Sequence, residues 1–372
     1  MVLSLLLLCS QVGLGQTGLV AYIAGGTQNY SQLSIVDVST GQSEYIGESA
    51  LDAFPAWSPD GRCVAYQSRN ADGVCIRLAY PREDIPDEAL THQYPVNTDP
   101  AWSADGKRLA YISYTDSNPF PLIQVYDFET AQESTWGGDQ QGFVSVAWLA
   151  STDLMQALNP EDLEDVKTAG LLKLRDEAEK TGVLTAIGVS TDTPPLSTEL
   201  YVVTPSYSLP LLPLLTTDSS RFVKYGLRPD HKARQIAFES NEGGDREIFV
   251  LGRRGIINVS NHPAADWNPV WSPDNNWIIF ESFRNGRCGL YSLLVNTGNI
   301  SPLIVDTAYN CWAADWSPDG KWIVFVSDMD GVPQLYRIRP DGSQLKQLTE
   351  AAHAALSPVW QPKTKEMETT AK

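Results

Sequence analysis

Histidine is scarce in this chain: four residues in 372, at His92, His231, His262 and His353. That leaves little material for imidazole metal centres, and no His/Cys grouping has metal-ligand spacing. Basic residues are also short, with 27 Lys and Arg against 45 Asp and Glu and a net charge of −18. No basic cluster offers a landing surface for a phosphate backbone, so nucleic-acid binding is not expected. Neither a phosphate-binding Gly loop nor a nucleophile elbow occurs. On these grounds no catalytic residue, metal or cofactor is expected. The longest apolar run is confined to residues 1–15, which are Leu-rich and uncharged. They resemble a secretory signal peptide ending at Gly13-Leu14-Gly15 and are too short to span a bilayer. Any membrane attachment would run through this segment left uncleaved. Export makes the expected location periplasmic or extracellular, and the expected state is a monomer.

What the chain has in quantity is one phrase. It reads Trp57-Ser58-Pro59-Asp60-Gly61, Trp102-Ser103-Ala104-Asp105-Gly106, Trp271-Ser272-Pro273-Asp274-Asn275 and Trp316-Ser317-Pro318-Asp319-Gly320. Weaker copies stand at Trp148 and at Leu227-Arg228-Pro229-Asp230-His231-Lys232, and a bare Pro358-Val359-Trp360 closes the series. Successive copies are 45, 46, 79, 44, 45 and 44 residues apart. A period in the forties with several strands per period means a β-propeller. Within 314–349, a short first strand leads through Pro318-Asp319-Gly320 into Trp322-Ile323-Val324-Phe325-Val326, a run buried on both faces. Two further strands follow. The expected fold is all-β: one propeller over 18–361, with seven four-stranded blades, six or eight being the alternatives. Residues 356–360 would pair with 19–23 to close the ring and remove two sheet edges. Residues 362–372 would be a disordered tail.

The 79-residue gap calls for an insertion. Leu163, Val166, Leu171, Leu174 and Ala178 recur at helical spacing, with Asn159 and Pro160 ahead of them and Gly182 behind. A helix near 160–182, on one edge of the disc, is expected. Residues 199–203 and 211–215 read as the next two strands. His231 takes the glycine place in its turn. Cys288 and Cys311 fall in loops at one blade junction, and an oxidising compartment would let them form a disulfide. Cys63 and Cys75 lie at opposite ends of a hairpin.

Phe238-Glu239-Ser240-Asn241-Glu242-Gly243-Gly244-Asp245-Arg246-Glu247-Ile248-Phe249 resembles the repeat of the TolB-type propellers. So does Ser260 to Asp274, through Asp266-Trp267-Asn268-Pro269-Val270-Trp271. The resemblance covers nearly all of the chain after residue 18, more weakly at 140–225. It implies an exported propeller, and a TolB-like one that is not TolB itself, which has six blades behind an α/β domain. Related blades serve as accessory domains of serine peptidases and occur in polysaccharide lyases.

Two functions are compatible with this reading. The favoured one is an interaction scaffold that binds a protein or peptide on the face built from inter-blade and second-to-third-strand loops. That face would carry Asp52, Asp99, His262, Asp266, Trp267, Asn268 and Trp312, because large aromatics beside polar groups are typical anchors. The alternative is a polysaccharide lyase or glycoside hydrolase working in the central pocket. Asp52, Asp99, Asp266 and Asp315 approach the first strands and could ring a channel mouth, or simply cap strand ends.

Overall fold

The repeated phrase folds as it does because its serine and aspartate replace missing main-chain partners. Ser58 donates its hydroxyl to Asp60 at 2.6 Å and accepts the N–H of Cys63 at 3.0 Å, while Asp60 accepts the N–H of Arg62 at 3.1 Å. Gly61 completes the turn at a φ of 69°, where a Cβ is disfavoured. The Ser–Asp bond recurs at Ser103–Asp105, Ser272–Asp274 and Ser317–Asp319, at 2.6, 2.5 and 2.7 Å. Each turn drives the chain back antiparallel to its first strand.

The computed structural model describes residues 18–25, 31–51, 53–83, 85–91, 94–116, 120–138, 142–150, 165–189, 198–211, 224–242, 244–252 and 255–363. Four-strand antiparallel units span 56–89, 96–136, 143–210, 224–258, 266–304 and 311–347. The remaining strands, Leu19–Ala24, Ser31–Asp37 and Ser43–Ala50, are joined by Ala355–Trp360 from the other end of the chain. Val20 lies opposite Trp360 and Ala24 opposite Ala355. Two single-residue pairs, Ala50 with Ser68 and Val74 with Val96, run the first units into one continuous sheet.

Four of the repeat tryptophans lock unit to unit by the indole N–H. The indole N–H of Trp102 donates to the Ala56 carbonyl at 3.0 Å, that of Trp148 to Ala101 at 2.9 Å, and that of Trp271 to Arg228 at 2.9 Å. In each case the acceptor directly precedes the matching position of the unit before. The same rule takes Trp57 to the carbonyl of Val359, at 3.1 Å. Apolar clusters fill the junctions: Ala110, Ile112, Ile123 and Val125 pack on Val146, Leu184 and Ala186.

The acceptor at Arg228 corrects the reading of the fourth gap. Pro229 occupies the tryptophan place, Asp230 the serine place and Ala233 the glycine place. Asp230 N–H donates to the Gln235 carbonyl, Ala233 N–H donates to the Asp230 carbonyl, and Ala233 has a φ of 50°. The expected frame ran two residues early because Pro229-Asp230 mimics the Pro-Asp of the other turns. His231 is therefore not in the glycine place.

The insertion is a helix, Asp165–Thr181, between the first and second strands of its unit. Asn159 and Pro160 lie outside the described residues, as do 1–15 and most of 362–372. Leu171, Leu174 and Ala178 are buried among Leu149, Leu227, Ile236 and Phe249, so the helix forms part of a junction core and does not merely rest on an edge. Thr198–Val203 is the third strand. The fourth falls at Ser208–Pro210, earlier than 211–215, of which 212–215 lie outside the described residues. Among the described residues, no helix is long and apolar enough to cross a membrane.

Candidate binding site

Five of the first strands reach the tryptophan place through a left-handed residue. Three residues before the tryptophan place stand Asp99, Gly226, Asn268, Ala313 and Ser357, with φ of 57°, 56°, 51°, 50° and 51°. The strand register shifts beside Asp99, Gly226, Asn268 and Ala313. A left-handed residue costs about 1–2 kcal/mol outside glycine, so something must hold it. At Asn268 and Ala313 a carboxylate does. Glu239 accepts the N–H of Asn268 at 2.8 Å, and Glu281 accepts the N–H of Ala313 at 2.9 Å. Asp99 accepts Val146 N–H at 3.0 Å, and Asp315 accepts Trp360 N–H at 2.8 Å. Each carboxylate belongs to one unit and the N–H to the next.

Glu239 and Glu281 line one cavity of about 370 Å³ with Phe54, Trp267, Asn268, Trp312, Ala313, Leu356 and Ser357. Glu281 also accepts the Trp267 indole N–H at 2.6 Å and the Asn268 side-chain amide at 2.7 Å. Burial holds its carboxyl above the usual range, against the downward pull of those donors. Burial raises Glu239 as well, although Arg246 stands 3.3 Å from its second oxygen and is itself 4.1 Å from the Tyr225 ring centroid. Trp267 packs on Phe283 with centroids 5.0 Å apart. Most of the exposed aromatics lie at this end of the units: Phe54, Tyr114, Phe120, Tyr225 and Phe283 belong to first-strand approaches, second-strand ends or the loop after them, while Tyr45 and Tyr207 lie elsewhere. The opposite end carries the repeated Ser-x-Asp-Gly turns.

Of the residues expected on this face, Trp267, Asn268 and Trp312 come together in the cavity. Asp52 lies outside the described residues. Asp99 and His262 do not line the cavity: His262 donates its N–H to Glu247 at 3.0 Å and accepts that of Ala264 on Nδ1, a loop-capping role. Asp266 is fully buried, with Arg284 at 2.7 Å. Asp266, Asp99 and Asp315 stand five, three and one residues before their unit's tryptophan. They therefore occupy unlike positions and form no ring of carboxylates. Among the described residues no group of His, Cys, Asp or Glu is placed to hold a metal.

Cys288 and Cys311 do meet, through the N–H of Cys311 and the carbonyl of Cys288 at 2.8 Å, but both are free thiols. The expected bridge is not formed, because the sulfurs turn to other partners. That of Cys288 lies 3.7 Å from Glu281, and that of Cys311 lies 3.5 Å from the Ser327 hydroxyl. Burial pushes the Cys311 thiol up to about 12 and raises Cys288 further, with Glu281 adding to it.

The glutamates were the residues missed. Their signal was a charged residue inside an otherwise buried strand, twice at one register: Phe238-Glu239-Ser240 and Phe280-Glu281-Ser282.

No protein-family model and no curated sequence matches the chain. Solved structures do. TolB from Acinetobacter baumannii is 17% identical with a TM-score of 0.56, over 93% of this chain and 67% of that one. This is the TolB-type β-propeller fold. The β-propeller domain of the Trilobed protease from Pyrococcus furiosus, described as having an open velcro topology, aligns at 14% identity and a TM-score of 0.62, over 90% and 95% of the two chains. An acylaminoacyl peptidase from Pyrococcus horikoshii gives 14% and 0.59, and the TolB-type fold here spans 51% of its length.

Proposed function

We propose that this chain is an exported interaction propeller, a closed ring of seven blades that receives a protein or peptide ligand in the cavity of Trp267 and Trp312. The observation that carries this reading is the asymmetry of the two ends. One end repeats a polar turn from unit to unit. The other gathers non-repeating aromatics around a cavity with two glutamates at its wall, the composition expected of a binding anchor. Closure is supported by the pairing of Leu19–Ala24 with Ala355–Trp360 and by the Trp57 indole on Val359. Export rests on residues 1–15.

Affinity capture from cell-envelope extract would supply the ligand. Trp267→Ala and Trp312→Ala should each weaken its binding by tenfold or more, whereas Asp60→Ala, in a turn at the far end, should leave it unchanged. The reverse pattern would place the ligand on the other face. Deleting residues from 355 onward should give insoluble or markedly less stable protein, and a truncated chain that melts like the intact one would refute the closed ring.

A second reading has one observation in its favour. Glu239 and Glu281 share the cavity, and burial raises both carboxyls, as glycoside hydrolysis requires of its general acid. Turnover in a polysaccharide screen, abolished by Glu281→Gln, would establish it. Their bonds to Asn268 and Ala313 favour a structural use.

A further inference from the structure

At the turn end of the last complete unit, far in the fold from the aromatic cavity, two arginines share one indole. The guanidinium carbon of Arg337 lies 4.2 Å from the Trp322 ring centroid and that of Arg339 lies 4.5 Å from it. The strand register explains the meeting. Ile323 pairs with Ile338 and Val324 with Arg337, so Trp322, Arg337 and Arg339 share a sheet face. On that face the buried Val324 packs into the cluster holding Val36, Val38 and Leu348.

Each ring contact is favourable, but two like charges held on one ring repel. Among the described residues no carboxylate pairs with either arginine. The Nε atoms of both are shielded from solvent and have no hydrogen-bond partner. The neighbouring acids make their close contacts elsewhere: Asp341 feels the Arg339 charge but accepts from Ser343 at 2.9 and 2.6 Å, and Asp319 holds Lys321 at 3.3 Å. Lys346, across from Arg337, adds a third positive charge. Other units treat the same register differently. Arg108 faces Asp127 at 3.1 Å, and Trp277 faces Leu294. In a chain of net charge −18, the last unit alone leaves a cation pair unanswered here among these three. Buried donors without an acceptor are rare in native proteins, and guanidinium forks match tetrahedral oxyanions.

We propose that Arg337 and Arg339, steadied by Trp322, form a binding site for a phosphate-type oxyanion. The anion would accept from the outer guanidinium N–H groups of the two arginines and neutralise the like-charge pair. A free phosphate or phosphate ester and an anionic phospholipid headgroup both supply this chemistry.

The test uses the full chain at constant ionic strength. Inorganic phosphate is titrated by calorimetry, and flotation is measured with phosphatidylcholine vesicles with and without phosphatidylglycerol. Wild-type protein should bind, and Arg337→Gln and Arg339→Gln should each lose at least tenfold in affinity. Arg337→Lys keeps the charge but not the planar fork and should lose most of that affinity too, which separates a built site from general attraction. Lys321→Gln should bind as wild type. Melting curves establish that each variant is folded. Binding of phosphate without vesicles points to a soluble phosphorylated ligand, and arginine-dependent flotation to a headgroup; either supports the site. Equal binding by wild type and both Gln variants, or no binding of either probe, overturns it.

Discussion

Ala313 donates its main-chain N–H to Glu281 at 2.9 Å while holding a φ of 50°. The two residues belong to successive units, so one hydrogen bond both fixes a strained strand entry and joins two blades. The arrangement explains a buried carboxylate without a cation beside it: its partners are the neutral N–H donors of Trp267, Asn268 and Ala313.

Glu281→Gln should therefore be costly despite its conserved shape. The amide would turn an N–H toward Trp267, Asn268 or Ala313, setting donor against donor. We expect a loss of about 1–3 kcal/mol in urea unfolding, with altered fluorescence from Trp267. An unchanged midpoint would show that the carboxylate does not hold the bulge.

Stability should fall as pH rises from about 4 to about 7. Burial raises the Asp315 carboxyl from 3.8 to about 7, against the N–H groups of Trp360 and Trp316. A carboxyl raised in the folded state binds protons more tightly there than in the unfolded chain. Its contribution is complete below about 3.8 and is lost as pH climbs through about 7. Asp99, Glu239 and Glu281 are raised in the same direction. Asp105, Asp274 and Asp319 are held low and act only in more acidic solution. Melting temperature against pH should slope downward, and Asp315→Asn should flatten it. An equal slope in the variant would refute the assignment.

The helix should matter to the stability of the fold. Leu174 is fully buried in a junction cluster, and Glu177 accepts from the Thr204 hydroxyl at 2.5 Å and from the Ser206 N–H at 3.1 Å. Leu174→Ala should cost about 2–5 kcal/mol of unfolding free energy. Excising 160–182 should destabilise the protein, and an excised chain with wild-type stability would make the helix a mere appendage.

Much of this architecture is legible before any coordinates. The tryptophans and the Ser-x-Asp-Gly turns are local devices, and local devices repeat visibly. The frame slipped only where Pro229 replaced tryptophan and Asp230 replaced serine, since a decoy Pro-Asp lay two residues off register. The site was half legible. Trp267, Asn268 and Trp312 announce themselves by size and polarity near strand starts. Glu239 and Glu281 do not, because what makes them matter is an N–H on the following blade, some 30 residues further on. The aspartates misled for the same reason: spacing from a tryptophan decides where a side chain goes, and theirs differ. Cysteine proximity was readable from topology, whereas the direction of each sulfur depends on Glu281 and Ser327.

The pairing of Leu19–Ala24 with Ala355–Trp360 has a consequence for the order of events in the cell. Leu19–Ala24 completes its sheet only with a strand made more than 330 residues later. At about 5–20 residues per second, Leu19–Ala24 waits on the order of 15–70 s with one edge unsatisfied. Its sequence, Leu-Val-Ala-Tyr-Ile-Ala, is apolar and nearly fully buried once paired. This apolar strand is thus exposed long before its partner exists, and protecting it falls to whatever meets the chain during synthesis.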